Sequence, residues 1–408
     1  MGQWQFHTPD GVQDLLPDDC YAKRQLEHRL RELFWQRGYL ELETPGIEFY
    51  DVYASGSGLA PQEGLFKFFD QQGRILCLRY DGTVPAARVA ATLYRDSQLP
   101  LRFSYINSMY RYNESGGGRQ REFSQAGVEL MGSQSPAADA EIIAMAIESA
   151  QATGIKDLQV SIGQVNFFKG LVAEWGLDEE TAEKLHRLID AKDMVAIEEL
   201  SDRIGLSGKA REVLLQMPAL YGTYDVIDQL ELLVDNALSR EALENLRAVL
   251  DHLAAAGLLE FVSLDLGQLQ SLNYYSGVIF KGFTYGLGFP LFSGGRYDQL
   301  VSNFGRQLSA TGFSIGLNFA LMALRRQGQI LPSRPAVDFL GYHPSRQSDA
   351  LARVRQMRQN GWSIVCDYDG KSYTELAGLA AQSDYASVLY LGPDSDEIET
   401  IEPQATSS

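Results

Sequence analysis

Four clusters along the chain carry side chains that can hold a ligand, and the first is Asp81-Gly82-Thr83. A carboxylate and a hydroxyl stand two residues apart here, after a predicted strand. Such a pair can bind an ammonium group through charge-assisted hydrogen bonds. The same spacing is typical of a strand end where Asp and Thr cap the next turn, and the spacing alone favours this structural role.

The second cluster lies on a predicted β-hairpin between Phe103 and Met131, with Arg111 on its first arm and Gln125 and Glu129 on its second. Gln125 and Glu129 are an even number of residues apart, so they share one face of a strand. An Arg offers a fork to a carboxylate, and a Glu accepts from an imidazole or amine N–H. The alternative is a charged, solvated sheet face.

The third and fourth clusters combine aromatic residues with glycines. Tyr274 and Tyr275 can wall a pocket for a flat ring, or they can be core aromatics. Tyr297 follows the pair Gly294-Gly295, which allows close backbone approach to a ligand. Gly312-Phe313-Ser314-Ile315-Gly316 opens a helix predicted from about Phe313 to Arg326; taken alone, this glycine spacing is a weak signal.

The elements that must position these clusters alternate in type along the chain. A helix from about Asp18 to Arg37 carries an apolar stripe and ends at Gly38. Helical patterns fill residues 166–259, and past a Pro-containing linker at 331–335 strands and helices alternate. We therefore expect the following parts: a core of residues 1–165 and 260–330, a helical insertion at 166–259, a small α/β domain at 336–392, and an acidic, disordered tail at 393–408.

Composition restricts the function. Lys plus Arg total 35 and Asp plus Glu total 53, a net charge of −18 that argues against a nucleic-acid partner. No apolar run reaches membrane-spanning length, and the N-terminus has no signal-peptide pattern, so we expect no membrane association. The five histidines are scattered and the three cysteines lie far apart. These features predict a cytoplasmic protein without a metal site, disulfide framework or cofactor.

Taken in order, the four clusters resemble the histidyl-tRNA synthetase family, and the resemblance covers nearly the whole chain. The helix before Gly38 and Pro45 resembles the first class II motif, Tyr110 to Glu129 the second, and Gly312 to Phe319 the third. Residues from about Val337 resemble the start of the anticodon-binding domain, in shorter form. The resemblance implies an α+β fold, with a class II antiparallel sheet flanked by helices.

The resemblance also implies a histidine pocket. Asp81 and Thr83 match the ammonium-binding pair, although the family has Glu where Asp81 stands. Arg111 matches the residue that holds the substrate carboxylate. Gln125 and Glu129 match residues around the ammonium and imidazole. Tyr274, Tyr275 and Tyr297 match the tyrosines of the pocket.

Several catalytic positions of the family are changed. Where the family has Glu followed by an Arg that holds the nucleotide, this chain has Asn318 and Phe319. The family's catalytic Arg is replaced by Gln270, and a Glu of its second motif is replaced by Asn113. Loss of one transition-state donor typically costs about 10²–10³ in rate. We therefore expect histidine to bind without being activated by ATP. From Pro335 onward the chain has five Lys and Arg residues and eleven Asp and Glu residues. This negative net charge argues against an anticodon contact.

This combination resembles a paralogous branch of the family whose members do not catalyse aminoacylation but regulate the short-form ATP phosphoribosyltransferase. The resemblance implies a short catalytic partner, a homodimer of this chain within a hetero-octamer of four and four, and L-histidine as effector in the first step of histidine biosynthesis. Three alternatives remain: an active histidyl-tRNA synthetase, a paralogue that activates histidine or another amino acid for an acceptor other than tRNA, and a binding module without a partner enzyme.

Overall fold

The computed structural model describes residues 6–54, 60–112, 120–268 and 274–402. Asn113 and Gln270, two of the positions where the resemblance predicts a lost catalytic residue, lie outside these ranges. The chain divides into two compact units, one ending at Pro332 and the other beginning at Ser333.

The first unit contains a nine-stranded mixed sheet and a three-stranded antiparallel sheet. The large sheet has the order β1-β5-β6-β12-β11-β10-β7-β9-β8, and the small one the order β2-β4-β3. Only the β1–β5 and β7–β9 pairs of the large sheet are parallel. The strands are β1 (Leu40–Glu41), β2 (Ile47–Phe49), β3 (Lys67–Phe69), β4 (Ile75–Leu78), β5 (Leu101–Tyr110), β6 (Glu122–Met131), β7 (Leu158–Gln164), β8 (Tyr221–Gly222), β9 (Val262–Asp265), β10 (Val278–Thr284), β11 (Phe292–Arg296) and β12 (Ala310–Gly316).

Helices flank these sheets, which agrees with the predicted α+β class. In chain order they are α1 (Pro17–Gln36), α2 (Asp51–Ala54), α3 (Thr83–Thr92), α4 (Pro136–Thr153), α5 (Val165–Glu174), α6 (Glu179–Asp190), α7 (Met194–Arg203), α8 (Gly208–Gln216), α9 (Tyr224–Glu231), α10 (Ala237–Ala255) and α11 (Leu317–Arg326). Short 3₁₀ turns occur at Gln62–Gly64, Met217–Ala219, Leu259–Phe261 and Val301–Phe304.

The alternation of β6 separates the core from a polar face. Ala126, Val128 and Leu130 are buried in the cluster that also contains Leu26, Leu30 and Phe34 of α1 and most of the apolar side chains of α4. Successive strand residues point to opposite faces, so Gln125, Gly127 and Glu129 face away from these helices. The helices therefore anchor one face of the sheet and leave the other available for a binding site.

Two predicted elements of the first unit differ from the structure. The helix expected from Phe313 begins only at Leu317, because Gly312 to Gly316 continue β12 between β6 and β11. Gly312 permits this close pairing: a Cβ there would lie 2.6 Å from the backbone oxygen of Val128. In the segment predicted to be wholly helical, β8 forms a short antiparallel pair with β9.

The second unit is a four-stranded sheet with two α-helices. Its strand order is β14-β13-β15-β16, and only the β15–β16 pair is antiparallel. The elements are β13 (Asp338–Tyr342), a 3₁₀ turn (Pro344–Arg346), α12 (Gln347–Gln359), β14 (Ile364–Cys366), α13 (Tyr373–Gln382), β15 (Val388–Leu391) and β16 (Ile398–Thr400). The disordered tail predicted from residue 393 is wrong for β16, since its residues pair with β15 and the adjoining Ile401 is buried.

Candidate ligand-binding site

A cavity of about 300 Å³ lies on the face of the large sheet that the helices α1 and α4 leave open. Its floor is formed by β6, β12, β11 and β10, where the small residues Ser293 and Ser314 are paired across β11 and β12, and Gly312 pairs with Gly295. The structure places seven predicted site residues in its wall: Asp81, Thr83, Arg111, Gln125, Tyr274, Tyr275 and Tyr297. Glu129, the eighth, is fully buried beside them.

Glu129 is held by two tyrosine hydroxyls. Tyr105 donates to Oε1 at 3.2 Å, and Tyr297 donates to Oε2. Burial raises the pKa of Glu129 to about 8, and the hydrogen bonds from Thr83, Tyr297 and Tyr105 oppose this shift only in part. The side chain is therefore poised between its neutral and charged forms near neutral pH, and a cationic ligand would favour the charged form.

The Asp81 carboxylate takes part both in a helix start and in the cavity wall. Oδ1 accepts a hydrogen bond of 3.0 Å from the N–H of Val84 in the first turn of α3, as the structural interpretation predicts. Burial raises its pKa to about 6, and the nearby Arg111 guanidinium acts in the opposite direction. The Thr83 hydroxyl lies 3.4 Å from the hydroxyl of Tyr105, which links this pair to Glu129.

Arg111 and Gln125 form the adjoining wall. The Arg111 guanidinium packs over the rings of Tyr80 and Phe123, with its carbon 4.7 and 4.9 Å from their centroids. This stacking orients the guanidinium beside the cavity. Gln125 donates from Nε2 to Ser314 Oγ at 2.8 Å, while its buried Oε1 has no hydrogen-bond partner among the described residues. That oxygen can accept an N–H from a ligand.

The three predicted tyrosines pack against one another at the end of the cavity. The rings of Tyr274 and Tyr297 are stacked at 5.7 Å, and Tyr275 meets Tyr274 edge to face at 4.7 Å. Gly295 allows this arrangement, because a Cβ at its position would lie 2.8 Å from the Tyr275 ring. The cluster offers an aromatic wall to a flat ring.

Asn318 and Phe319, where the resemblance predicts lost catalytic residues, have structural partners. Asn318 accepts from the N–H of Ser124 at 3.0 Å and donates to Gln120 Oε1 at 2.6 Å. Phe319 stacks on Phe123 at 6.0 Å and meets Phe289 edge to face at 4.7 Å. Neither side chain can supply charge to a ligand. Phe319 lines a second cavity of about 310 Å³, which shares Arg111, Gln125, Lys281, Ser293 and Ser314 with the first.

Three residues of the site were not predicted from the sequence. Tyr105 could have been predicted from strand periodicity. It lies two residues after Phe103 on the predicted hairpin, and Phe103 pairs with Glu129, so Tyr105 and Glu129 lie on the same face of the sheet. Gln268 and Lys281 also line the cavity, but they lie in segments that carried no motif. Their approach depends on the order of the strands in the sheet, which local sequence does not reveal.

In the parts of the chain that the structure describes, no group of three or more His, Cys, Asp or Glu side chains is arranged to hold a metal ion. None of the described helices is long and apolar enough to cross a membrane.

The fold is that of histidyl-tRNA synthetase. Residues 11–319 match the family described as histidyl-tRNA synthetase. The structure resembles an ATP phosphoribosyltransferase regulatory subunit/histidyl-tRNA synthetase from Bacillus halodurans C, with 31% identity, a TM-score of 0.87 and coverage of 97% of this chain and 100% of the other. It resembles histidyl-tRNA synthetase from Nostoc sp. PCC 7120 in fold, with 22% identity, a TM-score of 0.81 and coverage of 95% and 92%. These similarities define a histidyl-tRNA synthetase-like protein.

Similarity to curated relatives over nearly the full chain identifies a particular family within the histidyl-tRNA synthetase-like proteins. The chain is 48% identical over 404 residues to the ATP phosphoribosyltransferase regulatory subunit of Acetivibrio thermocellus, covering 98% of this chain and 96% of the relative. It is 45% identical over 399 residues to the protein of the same name from Ruminiclostridium cellulolyticum, covering 98% and 95%. The chain belongs to the family of ATP phosphoribosyltransferase regulatory subunits.

Proposed function

We propose that this chain is a non-catalytic regulatory subunit that activates a short-form ATP phosphoribosyltransferase catalytic subunit in the first step of L-histidine biosynthesis. It reports the concentration of L-histidine to that partner. The observation that carries the proposal is the 48% identity, over 98% of the chain, to a protein named as such a subunit. The assembly we propose is a cytoplasmic hetero-octamer of four and four, built on a homodimer of this chain.

The cavity over the sheet is the proposed histidine site. Its charges suit the ligand: Asp81 and Glu129 favour the ammonium and imidazole, and Arg111 favours the carboxylate. Tyr275 and its neighbours offer an aromatic wall to the imidazole ring. Histidine would shift the complex only if it bound one state more tightly than another, so the cavity must differ between the active and inhibited assemblies.

The lost synthetase activity is part of the proposal. Adenylate formation requires cations that stabilise the charge developing on the phosphate. At Phe319 an aromatic side chain stands where the synthetase family has Arg, and it is packed between Phe123 and Phe289. At Asn318 both amide atoms are engaged by Ser124 and Gln120. We therefore propose that histidine binds as an effector and is not activated.

The effector role is tested with the purified chain reconstituted with the short transferase subunit. We expect the wild-type complex to be inhibited by histidine. Arg111→Ala should raise the concentration for half-inhibition by about 10-fold or more, because a charge-assisted hydrogen bond is lost. Arg211→Ala, which removes a partly exposed guanidinium of α8 that pairs with Glu198 and Asp202, is the control and should leave inhibition unchanged. Equal histidine sensitivity of Arg111→Ala and the control would exclude this cavity as the effector site.

The non-catalytic role is tested by histidine-dependent exchange of pyrophosphate into ATP, measured on the chain alone and on the complex. We expect no exchange above background. Exchange at a synthetase-like rate would identify an active histidine-activating enzyme instead.

A further inference from the structure

The cavity has a cationic residue on its far side that no motif indicated. Lys281 lies on β10, and the strand pairings place it in one row with Ser293 of β11 and Ser314 of β12. Paired residues on antiparallel strands point to the same face, so the three side chains share the floor of the cavity. Lys281 is half-buried and lines both adjoining cavities. It forms no ion pair or side-chain hydrogen bond with any residue that the structure describes.

A buried amide stands near Lys281. Gln268 follows β9 and is only 6% exposed, yet its Nε2 has no acceptor within the described residues. Its backbone oxygen would lie 2.7 Å from a Cβ on Gly163 of β7, and Gly163 pairs with Ile279 of β10. Gln268 and Lys281 therefore stand at the same end of the cavity and both offer N–H donors. A buried donor without an acceptor is destabilising, and a bound ligand that accepts its hydrogen bond would remove that cost.

We propose that Lys281 and Gln268, together with Arg111, form the anion-binding side of the cavity and select an amino-acid ligand that carries a free carboxylate. This inference rests on the proposed histidine site and adds two residues to it. The ligand carboxylate lies over the serine floor between the two cationic side chains, and Gln268 donates to it.

The separation of charges supports this orientation. Glu129 lies on β6 and Lys281 on β10, with β12 and β11 between them, which places the strands about 14 Å apart. A lysine side chain and a small amino acid together bridge this width. The carboxylates Asp81 and Glu129 then face the cationic groups of the ligand, while Lys281 and Arg111 face its anion.

The partial loss of water around Lys281 also supports its role in binding an anion. Burial lowers its pKa, because the ammonium has lost part of its water, and the carboxylates of Asp190 and Asp265 oppose this shift. Those two residues form no ion pair with Lys281 in the described parts of the chain. A ligand carboxylate would replace the missing solvation with a direct charge-assisted contact.

The test compares L-histidine with histamine, which keeps the imidazole and the ammonium but lacks the carboxylate. Binding of both is measured by calorimetry on the full chain and on its complex with the transferase subunit. We expect Lys281→Met to weaken histidine binding about 10–100-fold without weakening histamine binding. Gln268→Leu should have the same selective effect, about 10-fold, and Lys281→Arg should restore most of the histidine affinity. Lys209→Met, on the exposed surface of α8, is the control and should bind both ligands as the wild type does.

Each alternative result is informative. If Lys281→Met weakens histidine and histamine equally, or weakens neither, the anion-binding assignment is overturned while the histidine site stands. If the wild-type chain and its complex bind no histidine, the proposed effector role and this inference both fail. Circular dichroism of each variant separates a lost contact from a lost fold.

Discussion

Gly312 lies directly opposite Glu129 in the pairing of β12 with β6, and a Cβ on Gly312 would lie 1.8 Å from Oε2 of Glu129. The buried carboxylate therefore occupies the space that any other residue at position 312 would fill. Tyr297 donates to that same oxygen, so the carboxylate cannot turn away without breaking a buried hydrogen bond. One glycine thus sets the position of the most buried acid of the candidate site.

We predict that Gly312→Ala lowers the free energy of unfolding by about 1–3 kcal/mol, as overpacking of a filled interior does. The added methyl group would meet both the Glu129 carboxylate and the backbone oxygen of Val128 at 2.6 Å. Urea unfolding measures the change. Gly288→Ala, where a Cβ would have no neighbour within 4 Å, is the control in the same unit. Equal stability of the two variants would contradict the close packing at Gly312.

Glu129 should also leave a signature in the pH dependence of stability. Burial raises its pKa from 4.5 in the unfolded chain to about 8. The folded state therefore holds the extra proton across this range, so this group stabilises the fold fully below about pH 4.5 and loses its contribution as pH rises through about 8. We predict that Glu129→Gln removes this part of the pH dependence. Urea unfolding at a series of pH values from 5 to about 8.5 measures it; an unchanged slope in the variant would show that Glu129 does not titrate in this range.

How much of this site the sequence predicts depends on how local each signal is. The shared face of Gln125 and Glu129 follows from strand periodicity alone, and the structure places both on the polar face of β6. Arg111 directly follows β5, and it lies near Gln125 and Glu129 because a hairpin brings β5 and β6 together. The two interpretations of Asp81 proved compatible, since its carboxylate receives a helix N–H and also lines the cavity.

The parts that sequence missed depend on long-range order. Lys281 reaches the site only because β10 lies beside β11, and β11 beside β12, in the sheet. No period or motif in the chain encodes that order. The helix start predicted at Phe313 was wrong for a related reason: Gly312 lies inside β12, and only Gly316, the last residue of that strand, is the N-cap of the helix.

Asn318 has a structural role that a change in stability can measure. Its Oδ1 accepts from the buried Ser124 N–H, and its Nδ2 donates to Gln120. We predict that Asn318→Ala lowers the free energy of unfolding by about 1–3 kcal/mol, because the Ser124 N–H loses its acceptor. Asn318→Asp keeps an acceptor at that place and should cost less. Chemical denaturation compares the pair, and an equal loss in both variants would show that the Ser124 contact is not the stabilising one.

Proton release on ligand binding provides the most direct test of how the acids of the site act. Near pH 7 the raised pKa values of Asp81 (about 6) and Glu129 (about 8) leave Glu129 mostly protonated. A cationic ligand beside it favours the charged carboxylate and so expels that proton. Histidine binding to the wild-type chain should therefore release more protons, by up to about one, than binding to Glu129→Gln. Calorimetry in buffers of different ionisation enthalpy measures the difference, and free histidine carries the same charge in both experiments, so the difference arises in the complex. Glu183→Gln, on α6, should behave as the wild type does. If Glu129→Gln releases as many protons as the wild type, Glu129 does not change its charge when the ligand binds, and the cationic part of the ligand must be held elsewhere in the cavity.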